Sequence, residues 1–300
     1  MTQQKNDDTR WIDAEGLVID EDDRGLVYDI RTLVNRRRAL GLFGGIAGVT
    51  LLAACSAAET TASATATATA SATATPSATA TATPTPTATA DVPIDEVPDE
   101  TAGPYPGDNS NGVNVLDDSG IVRSDIRSSF GSSTTTAAGV PLTIQLSVRT
   151  AATGAALAGA AVYLWHCNID GEYSLYGDGL ENENYLRGVQ EVDGTGTVTF
   201  TSIFPAAYSG RWPHIHFEVY SDVATAVAAG PIVKTSQIAL PAEACDAVYA
   251  TAGYEQSVRN MQQTSLASDN VFGEDSGIHQ IATMSGDAAT GYTAALTIGV

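Results

Sequence analysis

Leu142-Thr143-Ile144-Gln145-Leu146-Ser147-Val148-Arg149 alternates an apolar side chain with a polar one at every step. Successive side chains of a strand point to opposite faces, so this stretch reads as a half-buried strand with one dry face. The same period returns downstream. Ala161 to His166 is a short apolar run of strand length. Asp193-Gly194-Thr195-Gly196 is a turn signal, and it opens Thr197 to Ile203, where Val198 and Phe200 alternate with threonines. Ile232 to Leu240 reads as another strand, and Tyr292, Ala294, Leu296 and Ile298 alternate at the C-terminus. Short strands with glycine-rich turns between them predict an all-β chain built as an antiparallel β-sandwich, with long loops and little helix. The best helical signal lies within Ala244 to Met261, around Ser257 to Gln263.

Upstream of these strands the composition changes twice. Residues 56 to 90 are almost entirely Ala, Thr, Ser and Pro, with a single charge at Glu59. Such a stretch has no large apolar side chains to offset the entropy of ordering, so 55–98 reads as a linker or stalk. Before it, Asn35-Arg36-Arg37-Arg38 precedes an uncharged run from Ala39 to Ala54. That run is short for a membrane span and has the basic, apolar and small-residue order of a signal peptide. It ends Leu52-Ala53-Ala54-Cys55, which resembles a lipobox, and the consecutive arginines resemble a twin-arginine signal. The expected organisation is a leader and signal peptide over 1–54, a linker over 55–98 and a catalytic domain over 99–300. The expected location is exported, lipid-anchored through Cys55 at the cell surface or extracellular. A single-pass anchor is the alternative.

The formal net charge is −21. The first 54 residues carry 7 basic and 9 acidic side chains, which leaves 7 basic and 26 acidic for the rest. This field repels nucleic acid and anionic membrane surfaces, and no nucleic-acid partner is expected. Cys167 and Cys245 remain after Cys55, and in an exported chain this even pair predicts a disulfide, with two buried free thiols as the alternative.

The chain has four histidines, and two of them stand in Pro213-His214-Ile215-His216-Phe217-Glu218-Val219. On a strand His214 and His216 face one side, about 7 Å apart along the backbone, while Ile215, Phe217 and Val219 face the other. Two such imidazoles can converge on one metal ion, although zinc and copper sites use His-x-His as well. Glu218 shares the histidine face and reads as a solvated rim residue. His166 and His279 do not read as ligands. Tyr208 lies six residues before His214, in Pro205-Ala206-Ala207-Tyr208-Ser209-Gly210-Arg211, and Tyr173 closes Asn168-Ile169-Asp170-Gly171-Glu172-Tyr173. Each tyrosine sits in or beside a glycine-containing loop next to an expected strand.

The run from Trp165 to Val219 resembles the core of the intradiol ring-cleavage dioxygenases. The resemblance is carried by Trp165-His166 with Gly171-Glu172-Tyr173, by Tyr185-Leu186-Arg187-Gly188, and by Asp193 through Phe200 to Ile203. It continues in Pro205-Ala206-Ala207-Tyr208 and closes in Arg211-Trp212-Pro213-His214-Ile215-His216. Gly103-Pro104-Tyr105 resembles an element before the core. Ala206 stands where the family commonly has glycine. The resemblance implies a non-heme Fe(III) held by Tyr173, Tyr208, His214 and His216. It implies a catechol-type substrate and O2 as partners, with the ring cut between its two hydroxylated carbons to a cis,cis-muconate-type diacid. Tyr208 is implied to leave the metal and take up a substrate proton. Arg211 is implied to stabilise negative charge on the ring, and Gln237 to stand near the O2 site. Two phenolates are hard anionic donors suited to a ferric ion, in contrast to the two histidines and one carboxylate of Fe(II) oxygenases. Substrate choice is expected to rest on the loops Glu172 to Glu183 and Gly107 to Ile121, with Tyr105 either lining the pocket or simply packing. The resemblance leaves a homo-oligomer open. The alternatives are an exported, non-catalytic β-sandwich that binds carbohydrate or another surface ligand, and a zinc or copper site of another class.

Overall fold

The computed structural model describes residues 92–300. The leader, the lipobox and the stalk up to residue 91 lie outside the described residues. Among the described residues, eight strands form two four-stranded sheets. The first, in the order β4-β1-β8-β7, contains β4 (Thr197–Ile203), β1 (Pro141–Arg149), β8 (Gly291–Gly299) and β7 (Thr283–Asp287). The second, in the order β3-β2-β5-β6, contains β3 (Arg187–Glu191), β2 (Ala161–Trp165), β5 (His214–Tyr220) and β6 (Ile232–Ala239). The chain is all-β, as its alternation predicts. One pair departs from an antiparallel sandwich: β8 runs parallel to β1, with Leu142 opposite Tyr292 and Val148 opposite Ile298. Alternation reveals that a segment is a strand and which side is dry. It carries no information about the direction of the neighbour.

The two sheets close on one apolar core. Leu142, Ile144, Leu146 and Val148 of β1 meet Val162, Leu164, Ile215, Phe217 and Val219 from the other sheet. Each such side chain contributes about 1.5–3 kcal/mol on leaving water. The second sheet is covered on its outer face too. Ala161, Tyr163 and Trp165 of β2 pack there against Val115, Leu116, Ile121 and Tyr173 from the long loops. All seven residues of β5 are therefore buried. This second apolar layer, built by loops rather than strands, encloses the histidine face.

Three short helices follow β5: α1 (Val223–Val227), α2 (Ala242–Tyr249) and α3 (Glu255–Met261). Asp222 caps α1 by accepting from the Thr225 amide at 2.7 Å. The helix expected around Ser257 to Gln263 is α3, shifted slightly toward the N-terminus. No helix among the described residues is long and apolar enough to cross a membrane. Strands β3 and β7 leave little trace in the sequence. β3 begins with a buried arginine and a glycine, and β7 is an edge strand exposed along most of its length.

Residues 94–97, within the stretch read as linker, are held against the sandwich. The Ile94 amide donates to Ala151 O and the Val97 amide to Gly299 O, and Val97 is buried. Lys234 Nζ then holds Glu96 at 2.6 Å and Asp99 at 3.1 Å.

The expected disulfide does not form: Cys167 and Cys245 are separate, buried thiols. Cys167 belongs to the outer apolar layer and donates to Ala206 O, whereas Cys245 sits on α2 in the inter-sheet core and donates to Leu240 O. Burial pushes the Cys245 thiol well above its ordinary pKa.

Candidate metal and substrate site

The outer face of β5 carries His214 and His216, and two loops bring tyrosines to them. The first loop follows β2. Asn168 folds it: the Oδ1 atom accepts from the amides of Asp170 and Glu172, both at 2.9 Å. Gly171 supplies the turn with a φ of 87°. A Cβ at that position would stand 3.0 Å from Tyr208 Cβ, so the small residue serves both loops at once. The second loop follows β4. Ser257 and Asn260 of α3 anchor it by bonding the Ala207 amide and carbonyl at 3.0 and 2.8 Å. Ala206 is not among the described residues with positive φ, so alanine fits where the family commonly has glycine.

Four donor atoms converge as a result. Tyr173 Oη lies 3.2 Å from Tyr208 Oη, 3.5 Å from His214 Nε2 and 3.2 Å from His216 Nε2. Tyr208 Oη is 3.1 Å from His214 Nε2, and the two Nε2 atoms are 3.1 Å apart. His214 Nδ1 donates to the Trp212 carbonyl at 2.6 Å, which fixes the tautomer and leaves the Nε2 lone pair facing the cluster. Trp165, the cross-strand partner of His216, stacks on its ring at 4.9 Å with a 7° tilt. Both imidazoles are held well below their ordinary pKa, by burial first and then by Arg211 for His214 and by His214 and Arg211 for His216. They are neutral, as a metal ligand requires.

Arg211 and Gln237 join this group. The Arg211 guanidinium is buried, with Nη1 at 3.5 Å from His214 Nε2. Its Nη2 donates to Gln237 Oε1 at 2.7 Å and its Nε to Asp269 Oδ2 at 3.0 Å. Gln237 lies opposite His216 in the β5–β6 register, and its amide donates to Thr101 O at 3.0 Å. Asp269 is absent from the sequence reading, because a single aspartate in a loop 58 residues from Arg211 carries no local signal. It also accepts from the amides of Trp212, Val271 and Phe272.

Glu218 needs correction. It shares the histidine face, but it is fully buried rather than a solvated rim residue. The loop carrying Asp108 covers it, and burial, reinforced by Asp108, pushes its pKa up to about 8. Tyr220 donates to it at 2.6 Å. His166 and His279 stand apart from the donor cluster: His166 bonds Cys167 O and Ser202, and His279 faces Asp95. No group of three or more His, Cys, Asp or Glu suited to a metal occurs among the described residues, so the cluster at the two histidines is defined by its phenols.

Tyr105 does line the cleft that opens beside Tyr173. Their rings are 5.1 Å apart, and Tyr176 closes on Tyr105 at 5.0 Å. A buried arginine on β3, unnoticed except as part of a motif, holds these walls. Arg187 donates to the carbonyls of Tyr105, Pro106 and Ser174 and to the hydroxyls of Tyr163 and Ser174.

Residues 124–228 match the family model described as Dioxygenase. In fold the chain is similar to an intradiol ring-cleavage dioxygenase from Tetranychus urticae, with 23% identity and a TM-score of 0.53 over 69% of this chain and 94% of that one. The fold is that of the intradiol ring-cleavage dioxygenases. Two further dioxygenase structures are more distant. The dioxygenase domain of a carbohydrate-binding fusion from Streptomyces sp. SirexAA-E is 20% identical, with a TM-score of 0.45 over 69% of this chain and 98% of that one. Catechol 1,2-dioxygenase from Pseudomonas arvilla C-1 is 20% identical, with a TM-score of 0.39 over 58% of this chain and 55% of that one. No curated protein matches in sequence. In the intradiol fold of this chain, the motif residues Tyr173, Tyr208, His214 and His216 fall at one point, and Arg211 borders it.

Proposed function

We propose that this chain is a non-heme Fe(III) dioxygenase that splits a catechol-type ring between its two hydroxylated carbons. The observation that carries the reading is the convergence of two phenol oxygens and two imidazole nitrogens, with Tyr173 Oη 3.2–3.5 Å from the other three donors and His214 Nε2 3.1 Å from both Tyr208 Oη and His216 Nε2. Donors about 2.1 Å from a common ion stand about 3.0 Å apart at right angles and about 3.4 Å apart at the tetrahedral angle. The observed separations fall in that range, and the donor chemistry fits a hard trivalent cation. When bound, Fe(III) would supply Lewis acidity and redox chemistry that open a chelated catecholate to O2. Overall, one catechol and one O2 become one muconate-type diacid: the bond between the two hydroxylated carbons breaks, and each of those carbons gains one oxygen atom. Both atoms of O2 enter the product, so the reaction needs no outside reductant.

The protein's part is to hold, orient and screen. Tyr173 and Tyr208 as phenolates would offset two of the ion's three positive charges, and His214 and His216 would supply neutral lone pairs. Tyr208 is the more exposed of the two phenols, and its Oη is the atom we assign to take up a catechol proton as substrate arrives. Arg211 faces the same space with a fixed positive charge that opposes the negative charge gathering on the ring. Gln237 holds that guanidinium from one side and Asp269 from the other, so Gln237 acts on the reaction through the orientation of Arg211. The apolar layer around Trp165 and Tyr163 excludes water and strengthens these interactions.

Export and a lipid anchor at Cys55 belong to the same proposal and rest on the leader sequence. The decisive experiment is purification followed by iron analysis, a visible spectrum and O2 uptake with catechol. A ferric tyrosinate protein absorbs in the visible, and the expected result is coloured, iron-bearing protein that consumes O2. Colourless protein that takes zinc and leaves O2 untouched with every catechol would reject the reading in favour of a binding module.

A further inference from the structure

We propose that Tyr176 sets the size of catechol this site accepts, as a fixed wall that excludes bulky ring substituents. The inference rests on the dioxygenase reading and goes beyond it to a specificity-determining residue.

The cleft beside Tyr173 has a volume of about 240 Å³, and Tyr105, Tyr173 and Tyr176 supply its aromatic walls. Tyr173 joins it to the donor cluster, because its ring forms part of the wall while its Oη stands among the two imidazoles and Tyr208. Tyr105 bridges the other two rings, 5.1 Å from Tyr173 and 5.0 Å from Tyr176. Tyr176 follows Tyr173 by one turn: its amide donates to the Tyr173 carbonyl at 3.2 Å, and the Gly177 amide donates to the same carbonyl at 2.9 Å. The wall is thus built on the backbone of a proposed iron ligand. A single aromatic ring suits such a slot.

The far end of Tyr176 is fixed as well. Its hydroxyl donates to Asn111 Oδ1 at 3.0 Å and accepts from the Gly107 amide at 2.9 Å. Its ring lies 5.5 Å from the buried Arg187 guanidinium. Asn111 also donates to Pro104 O at 2.7 Å, next to Tyr105, so one side chain clamps both walls. Gly107 has a φ of 66°, and a Cβ there would stand 3.1 Å from Leu175 Cδ1 and 3.2 Å from Arg187 Nη1, so glycine permits this close approach. The two loops expected to govern substrate choice, Glu172 to Glu183 and Gly107 to Ile121, therefore meet at the Tyr176 hydroxyl. A side chain held at its backbone, its ring and its hydroxyl yields little to an incoming group, and overfilling a packed space is costly. A small substituent is tolerated in the cleft, whereas a branched alkyl group meets the Tyr176 ring.

The test measures O2 uptake by the iron-loaded protein with catechol, 3-tert-butylcatechol and 4-tert-butylcatechol, so that either edge of the ring carries the bulk. The expected wild-type result is a kcat/KM at least about tenfold lower than that of catechol for one or both butyl isomers. In Tyr176→Ala the ratio of that isomer to catechol rises about tenfold, whatever happens to the absolute rates. The electronic effect of the alkyl group is the same in both proteins and cancels from the comparison. Tyr176→Phe keeps the ring but loses the grip of Asn111 and Gly107, and its ratio should fall between the two. Should Tyr176→Ala fail to fold, as read by circular dichroism and iron retention, Tyr176→Leu carries the same comparison with a shorter wall. Wild-type protein that takes both butyl isomers as readily as catechol, or a ratio unchanged in the variants, overturns the inference while leaving the dioxygenase reading intact. No uptake with any of the three substrates overturns the dioxygenase reading and the inference with it.

Discussion

Arg211 Nε donates to Asp269 Oδ2 over 3.0 Å, and the two side chains are 2% and 0% exposed. A buried ion pair contributes little net stability against an apolar substitute, but removing one partner strands the other charge. Asp269 also caps the amides of Trp212, Val271 and Phe272, which sets the backbone on both sides of the pair. Asp269→Ala is therefore expected to cost about 3–5 kcal/mol in urea denaturation. Asp269→Asn, which keeps an acceptor, should cost distinctly less. Equal losses in the two variants would show that the stranded Arg211 charge, and not the lost acceptor, sets the cost.

Tyr173 sits at the centre of the donor cluster, within 3.5 Å of the other three donors. Tyr173→Phe removes only the oxygen, and His216→Ala removes one imidazole. Each is expected to lose bound iron, the visible absorption band and at least about 100-fold in activity, while the circular dichroism spectrum stays that of a β-protein. Turnover at the wild-type rate in either variant rejects the site.

Gly171 combines a positive φ with contact to the opposite loop, since a Cβ there would meet Tyr208 Cβ at 3.0 Å. Gly171→Ala should cost about 1–3 kcal/mol from the backbone alone and push the two tyrosine loops apart. The expected readout is weaker iron retention under chelator challenge. An alanine variant that holds iron as the wild type does would show that the loops are independent.

His166 is buried, with Nδ1 donating to Cys167 O and Nε2 accepting from Ser202, and burial lowers its pKa from 6.5 to about 4. Above pH 6.5 both the folded and the unfolded chain hold it neutral, and stability does not change with its ionisation. As pH falls from 6.5 toward 4 the unfolded chain takes the proton first, so stability is lost through that window, by about 3 kcal/mol in all. His166→Gln should flatten the stability curve between pH 6.5 and 4 by roughly that amount relative to wild type. Parallel curves for the two proteins would contradict a neutral buried imidazole.

Much of this was legible in the residues. The two-residue period of Leu142 to Val148 and of Ile215 to Val219 determined the strands and their dry faces, because a strand's pleat ties sequence spacing directly to side-chain direction. The same period placed His214 and His216 on one face, and Gly171 and Tyr208 sat in motifs specific enough to mark the loops. Local chemistry could not reveal what depends on contacts far apart in the chain. The parallel pairing of β8 with β1, the burial of Glu218 beneath the Asp108 loop, the anchoring of Arg211 by Asp269 and the separation of Cys167 from Cys245 came only with the tertiary structure. Each is set by which surfaces the two sheets and their covering loops exclude from water, and that exclusion is a property of the whole packed domain rather than of any window of its sequence.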